Sequence, residues 1–359
     1  MSDRILIATR KGLFDVRRSA SGGWASVRES FLGSPVSMCL HDPHDGALYA
    51  ALNLGHFGAK LHRSDDEGVS WTELATPSFA GLGGDPAPSL VQIWALETGA
   101  PDEAGVLWAG TIPGAVFRSE DRGASWAINK GLWDIPERTQ WNGGGYDQSG
   151  VHSICLDPRS KQRIAIAVST GGIWASADGG QSWSIRGKGL YAEYMPPDQA
   201  ENLVAQDVHR LVQCPAAPEA FWIQHHNGVF RSTDGLASAP PVTAIKPAKF
   251  GFAVAVHPKD PDTAWFVPAM KDEFRYPVDG KFVVSRTRDG GKSFDVIDRG
   301  LPPKPAYDLV YRHGLAVDET GERLVMGSTT GGAWISENGG DNWTLFSAHL
   351  PPVYAVRFA

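Results

Sequence analysis

Seven short apolar runs recur along the chain, and histidine is over-represented at one position in them. The runs begin Val36-Ser37, Val91-Gln92, Val151-His152, Val208-His209, Gly251-Phe252, Arg312-His313 and Val353-Tyr354. Their second positions place His152, His209 and His313 at equivalent points. His225-His226-Asn227 follows the His209 run, and His56 occupies the matching place after the Ser37 run. Six of the 11 histidines therefore belong to one recurring pattern. Imidazole titrates near neutral pH and is a common metal ligand. Converging imidazoles suit a divalent metal, with His152, His209 and His313 as ligands, or a shared proton transfer. His209 with Asp207 is the stronger acid–base pair, since a carboxylate beside the ring can orient it and hold its charge. His152 is a further catalytic candidate. No metal-ligand spacing motif accompanies these residues, so the plain alternative is rings that line a channel and bond water and backbone. No other cofactor is suggested.

Two stretches combine aromatics with polar groups. One holds Trp133, Glu137, Arg138, Trp141, Tyr146 and Asp147, and the next holds Tyr191, Glu193, Tyr194, Asp198, Asn202 and Asp207. Flat rings stack on sugar faces, and carboxylates accept from hydroxyls, so a small polar or carbohydrate-like ligand fits them. The ligand-binding candidates are His225, His226, His313, Arg312, Tyr146, Asp147, Trp141, Tyr194 and Tyr354. Arg10, Arg275 and Arg312 are positioned to bind a carboxylate. Against this stands the reading in which the aromatics only pin the loops and the charges are solvated.

The elements that position these residues are set by a second repeat. Ser176-Ala177-Asp178-Gly179-Gly180-Gln181-Ser182-Trp183 reads Ser-x-Asp-x-Gly-x-Ser-Trp. The pattern returns at Ser64–Trp71 and Ser119–Trp126, at Thr287–Phe294 with Phe for Trp, and at Ser336–Trp343 with Asn338 for Asp. A worn copy starts at Ser232-Thr233-Asp234, and Gly23-Trp24 marks a remnant. The Asp and Ser oxygens accept backbone N–H groups in a tight turn, and the Gly takes a positive φ. The aromatic packs into the apolar layer and anchors the next strand. Positions 24, 71, 126, 183, 239, 294 and 343 are 47 to 57 residues apart. A period near 50 indicates propeller blades.

Each repeat offers an inner strand, a second strand such as Leu48-Tyr49-Ala50-Ala51 or Ile164-Ala165-Ile166-Ala167, a third such as Gly172-Ile173-Trp174, and a fourth beyond the Asp turn. The N-terminal Ile5-Leu6-Ile7-Ala8 matches a second strand, and residues 353–358 match an inner strand with nothing after it. The expectation is an all-β, seven-bladed propeller over residues 1–359, one domain, in which the C-terminal strand joins the N-terminal blade and leaves no open edge. The long loops, near 75–90, 130–150, 187–207, 268–281 and 298–311, then share one face, opposite the Asp turns.

The repeated Ser-x-Asp-x-Gly-x-Ser-Trp turn resembles that of the BNR, or Asp-box, propellers, over nearly the whole chain. That superfamily contains sialidases, sortilin-type receptors, xyloglucanases, photosystem II assembly factors and bacterial proteins called glycosyl hydrolases by repeat alone. The resemblance implies the fold and leaves the activity open. A sialidase would bring Arg-Ile-Pro near the N-terminus and six blades, whereas Arg4-Ile5 is followed here by Leu6. Xyloglucanases pair two propellers around a cleft. Two readings follow: a ligand-binding hydrolase or lyase, or a non-catalytic scaffold for a protein partner. A deep pocket with converging histidines and carboxylates favours the first, and a broad shallow patch favours the second.

Bulk properties narrow the classes further. A net charge of −7 without a basic block argues against nucleic acid. Cys39, Cys155 and Cys214 are odd in number and lie in apolar runs, as buried free thiols would. No apolar signal segment or run of 18 apolar residues is present, so no membrane association and a cytoplasmic location are expected. Gly143-Gly144-Gly145 lacks the Lys and following helix of a phosphate loop, and no Gly-x-Ser-x-Gly elbow occurs.

Overall fold

The computed structural model describes residues 1–82, 88–144 and 146–359. Residues 83–87 of the expected loop at 75–90, and Gly145 of the triple glycine, lie outside the described residues.

Seven sheets of four antiparallel strands form the propeller. The inner strands are Val36–His41, Gln92–Thr98, Val151–Leu156, Val208–Cys214, Gly251–Val256, Leu315–Val317 and Val353–Phe358. Blades stack face to face, so inner and second strands are covered on both sides. That is why Val36–His41, Leu48–Asn53 and Ile164–Val168 are almost continuously buried and apolar instead of alternating. The outermost strands, such as Thr72–Leu74 and Ser184–Arg186, are short and open to solvent. One apolar cluster runs through neighbouring blades from Leu6 through Met38 and Leu61 to Ile93 and Phe117.

The ring closes as expected. Arg4–Thr9 pairs with Val353–Phe358 on one side and with Gly12–Arg18 on the other. The sixth of these inner strands, however, starts at Leu315 and not at Arg312. Gly314 bends the chain there: its N–H donates to the Tyr311 carbonyl at 2.8 Å, while its carbonyl accepts the Gly327 N–H of the second strand at 2.8 Å. His313 instead forms an isolated bridge with Ala355 of the closing strand, and the Val356 N–H donates to the His313 carbonyl at 2.8 Å.

The repeated turns follow one plan. Ser176 Oγ donates to Asp178 Oδ1 at 2.7 Å and accepts the Gly180 N–H at 2.8 Å. Asp178 accepts the Ser182 N–H at 2.9 Å and the Ser182 hydroxyl at 2.6 Å. Gly180 sits at φ 89°, where a side chain would be strained. The worn copy keeps this geometry with Leu236 at φ 69°, its N–H reaching Ser232 Oγ at 2.9 Å. The aromatics reach back to the preceding blade: Trp183 Nε1 donates to Asn129 Oδ1 at 2.9 Å, and Trp71 Nε1 to Ser30 Oγ at 3.1 Å. The turns ending in Trp71, Trp126 and Trp183 therefore tie one blade to the one before it. The cysteines are buried free thiols, and burial pushes Cys39 and Cys155 up to about 12.

Candidate functional site

The loops entering the inner strands and those between second and third strands open onto one central cavity of about 830 Å³. Six of the seven second positions of the inner-strand runs line it: Ser37, Gln92, His209, Phe252, His313 and Tyr354. The exception is His152. Its ring is fully buried with Trp94 packed edge-on against it at 5.4 Å. Its Nε2 binds the Val208 carbonyl oxygen at 2.7 Å and its Nδ1 pairs with Ser153 Oγ at 2.9 Å. Burial and the nearby Arg312 and Arg210 charges push it well below the ordinary histidine value. His152 is thus a neutral structural ring joining two blades, without access to a ligand.

Asp207, His209 and His226 form the polar centre of the cavity. Asp207 Oδ2 lies 3.7 Å from His209 Nε2 and 3.3 Å from His226 Nδ1. Local structure fixes all three. The Asp207 N–H donates to the Tyr194 hydroxyl at 2.9 Å, which itself donates to the Ala205 carbonyl at 2.7 Å. The His226 N–H donates to the Asp207 carbonyl at 3.0 Å. His209 stacks on Phe252 at 4.4 Å, and its Nδ1 donates to the Gly251 carbonyl at 2.6 Å. The His226 ring packs edge-on against Tyr194 and Phe250.

These contacts set the charges. Burial alone raises the Asp207 carboxyl, but His209, His226 and the Arg312 charge outweigh it and hold the group well below the usual carboxylate range. His209 is lowered by burial despite Asp207. His226 is raised by its contact with Asp207, against a smaller effect of burial. The cluster therefore pairs a carboxylate and a protonatable His226 with a neutral His209. Asp207 is suited to accept a proton or stabilise positive charge, and His226 to donate a proton.

Arg312 also lines the cavity, buried between Trp94, 4.9 Å from its ring centre, and Phe252, at 5.5 Å. Among the described residues no carboxylate forms an ion pair with it, and its Nε has no hydrogen-bond partner. Tyr146 and Tyr354 line the cavity as well.

Other expected residues lie elsewhere. His225 is fully buried beside Phe230, its Nδ1 accepting the Asn227 N–H at 3.0 Å, and burial lowers it to about 3. Trp141 packs on Trp174 in the core between blades. Tyr194 acts on the site through Asp207, and Asp147 is exposed and away from the cavity lining. His313 lines the cavity, but its Nε2 is held by the His152 carbonyl at 2.7 Å. The trio His152, His209 and His313 therefore does not converge as metal ligands. Among the described residues, the cluster with ligand atoms within 4.8 Å of one another is Asp207, His209 and His226. The sequence reading overlooked Asp272 and Tyr311, which line the cavity from the loops at 268–281 and 298–311. Their only signal was the length of those loops.

The fold defines the class: a seven-bladed β-propeller. No family model matches the chain. The chain is 24% identical over 361 residues to a probable oligoxyloglucan-reducing end-specific xyloglucanase of Neosartorya fischeri, covering 92% of this chain and 41% of that protein. It resembles the structure of the GH74 xyloglucanase from Xanthomonas campestris with a TM-score of 0.67 and 18% identity, over 97% of this chain and 53% of that one. YCF48 bound to D1 peptide is similar at a TM-score of 0.52 and 13% identity, over 87% and 82% of the two chains. The chain thus spans less than half the length of the curated xyloglucanase and about half of the solved one.

Proposed function

We propose that the central cavity binds a small polar, carbohydrate-like ligand and acts on it as a hydrolase or lyase. The observation that carries this reading is a half-buried, ionised Asp207 beside His226 in a cavity of about 830 Å³ walled by Trp94, Tyr146, Tyr311 and Tyr354. Aromatic faces give stacking area, and a few polar groups fix orientation. His226 donates a proton to a leaving oxygen, and Asp207 accepts a proton or stabilises the charge that develops. Asp272 at the rim gives the second carboxylate that glycoside hydrolysis commonly uses. The likeness to xyloglucanases supports a sugar ligand, and the repeated Asp turn supports kinship with the BNR propellers. The buried free thiols fit a reducing compartment such as the cytoplasm.

The test is a panel of neutral and acidic oligosaccharides, scored by calorimetry and by release of reducing ends. Asp207→Asn should keep ligand affinity and lose turnover. An absence of binding across the panel would remove the reading. The scaffold alternative rests on the exposed rings of Phe57, Phe274 and Tyr307 and on the likeness to a peptide-bound YCF48. It would then lead, with a protein segment as the ligand.

A further inference from the structure

We propose that Asp207, His209 and His226 hold a divalent transition-metal ion at the floor of the cavity. The site lies in the cavity of the preceding reading and does not depend on a sugar occupying it; with the ion bound, the metal takes the place of the His226 proton, so His226 is then a ligand and not the proton donor.

The first argument is the hydrogen-bond sense of His209. Its Nδ1 is 2.6 Å from the Gly251 carbonyl oxygen, which can only accept. Nδ1 therefore carries the hydrogen, and Nε2 of the neutral ring turns its lone pair toward Asp207 Oδ2 at 3.7 Å. Two acceptors that face each other call for a proton, a water or a metal cation between them, and the metal is the one of the three that also satisfies the spacing of all three groups. A backbone carbonyl holding the far nitrogen is also the usual support of a metal-bound histidine. The second argument is Asp207 Oδ1, which is buried and has no hydrogen-bond partner among the described residues. Oδ2 is the oxygen that faces the two imidazoles, so Oδ1 supports the site only as the second oxygen of a carboxylate that can turn or bind through both atoms.

The third argument is distance. Ligand bonds of about 2.1 Å at tetrahedral angles put donor atoms roughly 3.4 Å apart. The carboxylate oxygen is 3.3 Å from one imidazole nitrogen and 3.7 Å from the other, with all three ligand atoms inside 4.8 Å. Small side-chain rotations bring them to one ion. The supports are rigid: an inner strand, a tight turn bonded back to the Asp207 carbonyl, and a loop pinned by Tyr194. Two histidines and one carboxylate suit Zn²⁺, Mn²⁺ or Fe²⁺, with the remaining positions open to the cavity. The ligand class is then an oxygen donor, a hydroxyl or a carboxylate. An anionic oxygen there would also meet the Arg312 guanidinium.

The experiment uses tag-free protein stripped with EDTA. Binding of Zn²⁺, Mn²⁺ and Fe²⁺ is measured by calorimetry, and metal content after dialysis by mass spectrometry. The expected result is one equivalent of at least one of these ions, lost in both Asp207→Asn and His226→Ala and kept in His56→Ala, an exposed histidine of the same face. Thermal melting of the stripped variants checks that each is folded, and the isosteric Asp207→Asn guards against a packing effect. Cobalt substitution adds a spectroscopic readout, with visible absorption in the wild type only. No stoichiometric ion in the wild type, or retention by either site variant, would overturn the proposal. Oligosaccharide binding by the stripped protein is scored separately, so failure of the metal site and failure of the sugar reading are distinguishable.

Discussion

Asp207 Oδ2 and His226 Nδ1 stand 3.3 Å apart, and the contact moves the two groups in opposite directions. Asp207, depressed in the fold, contributes stability above its unfolded value of about 3.9 and loses it as pH falls through the folded value. His226, raised in the fold, contributes fully below about 6.5 and loses the contribution as pH rises through its folded value. The metal-free protein should therefore melt highest between about pH 4 and 6.5 as far as this pair decides. Melting curves across pH for wild type and His226→Gln check this. The variant should lose the decline on the alkaline side, and an unchanged alkaline limb would show that another group sets it.

The Asp178 turn should be purely structural. Its bonds from Ser182 and Ser176 bring the carboxyl down to about 2. This contribution is present above about pH 3.9 and is lost as pH falls through about 2. Asp178→Ala removes the acceptor that fixes the exposed Ser182 N–H and hydroxyl in the turn and loosens the tie to Asn129 through Trp183. The melting temperature should fall while ligand and metal affinity in the folded fraction stay unchanged. Altered affinity with an unchanged melt would place function on the wrong face.

The blade plan was legible in the sequence because the turn chemistry is local. Asp178, Ser176 and Ser182 lie within seven residues, and their bonds need no knowledge of the rest of the chain. The inner-strand register was legible for the same reason. The recurring sequence pattern put Ser37, Gln92, His209, Phe252, His313 and Tyr354 at equivalent places round the cavity, although Ser37, His209, Phe252 and Tyr354 sit at register shifts that a strict two-residue period does not encode. What was not legible is which of these rings another blade covers. Trp94, from a neighbouring blade, closes over His152, and the buried turn removes His225 from the cavity while leaving His226 in it. Asp272 reaches the site from a long loop whose path no periodicity records.

Leu236 occupies the left-handed position that glycine fills in the other turns. The conformation costs a non-glycine residue roughly 1–2 kcal/mol. Yet the side chain is 1% exposed and packs with Leu190, Phe230 and Ala239, and truncating such a residue costs about 2–5 kcal/mol. Burial wins, so Leu236→Gly should destabilise by about 1–3 kcal/mol, even though it restores the repeat's consensus residue. Chemical denaturation measures it, and a stabilised variant would mean that strain dominates there.

Arg312 should show the opposite trade between stability and function. Its guanidinium is buried, and burial lowers its pKa in spite of the Asp207 charge. No carboxylate among the described residues pairs with it, so Trp94, Phe252 and the Asp207 charge offset only part of its desolvation cost, and an anionic ligand would recover more. Methionine matches the length of the stem and keeps contact with Trp94 and Phe252. Arg312→Met should therefore leave the melting temperature unchanged or raise it. The loss of its field on Asp207 offsets part of that gain. Acidic oligosaccharides should lose affinity more than neutral ones, because only they present an anion to the guanidinium. Calorimetry with matched acidic and neutral ligands, beside thermal melts, separates the two effects. A lower melting temperature with unaltered preference among ligands would make Arg312 a packing residue and leave Arg275 as the guanidinium lining the cavity.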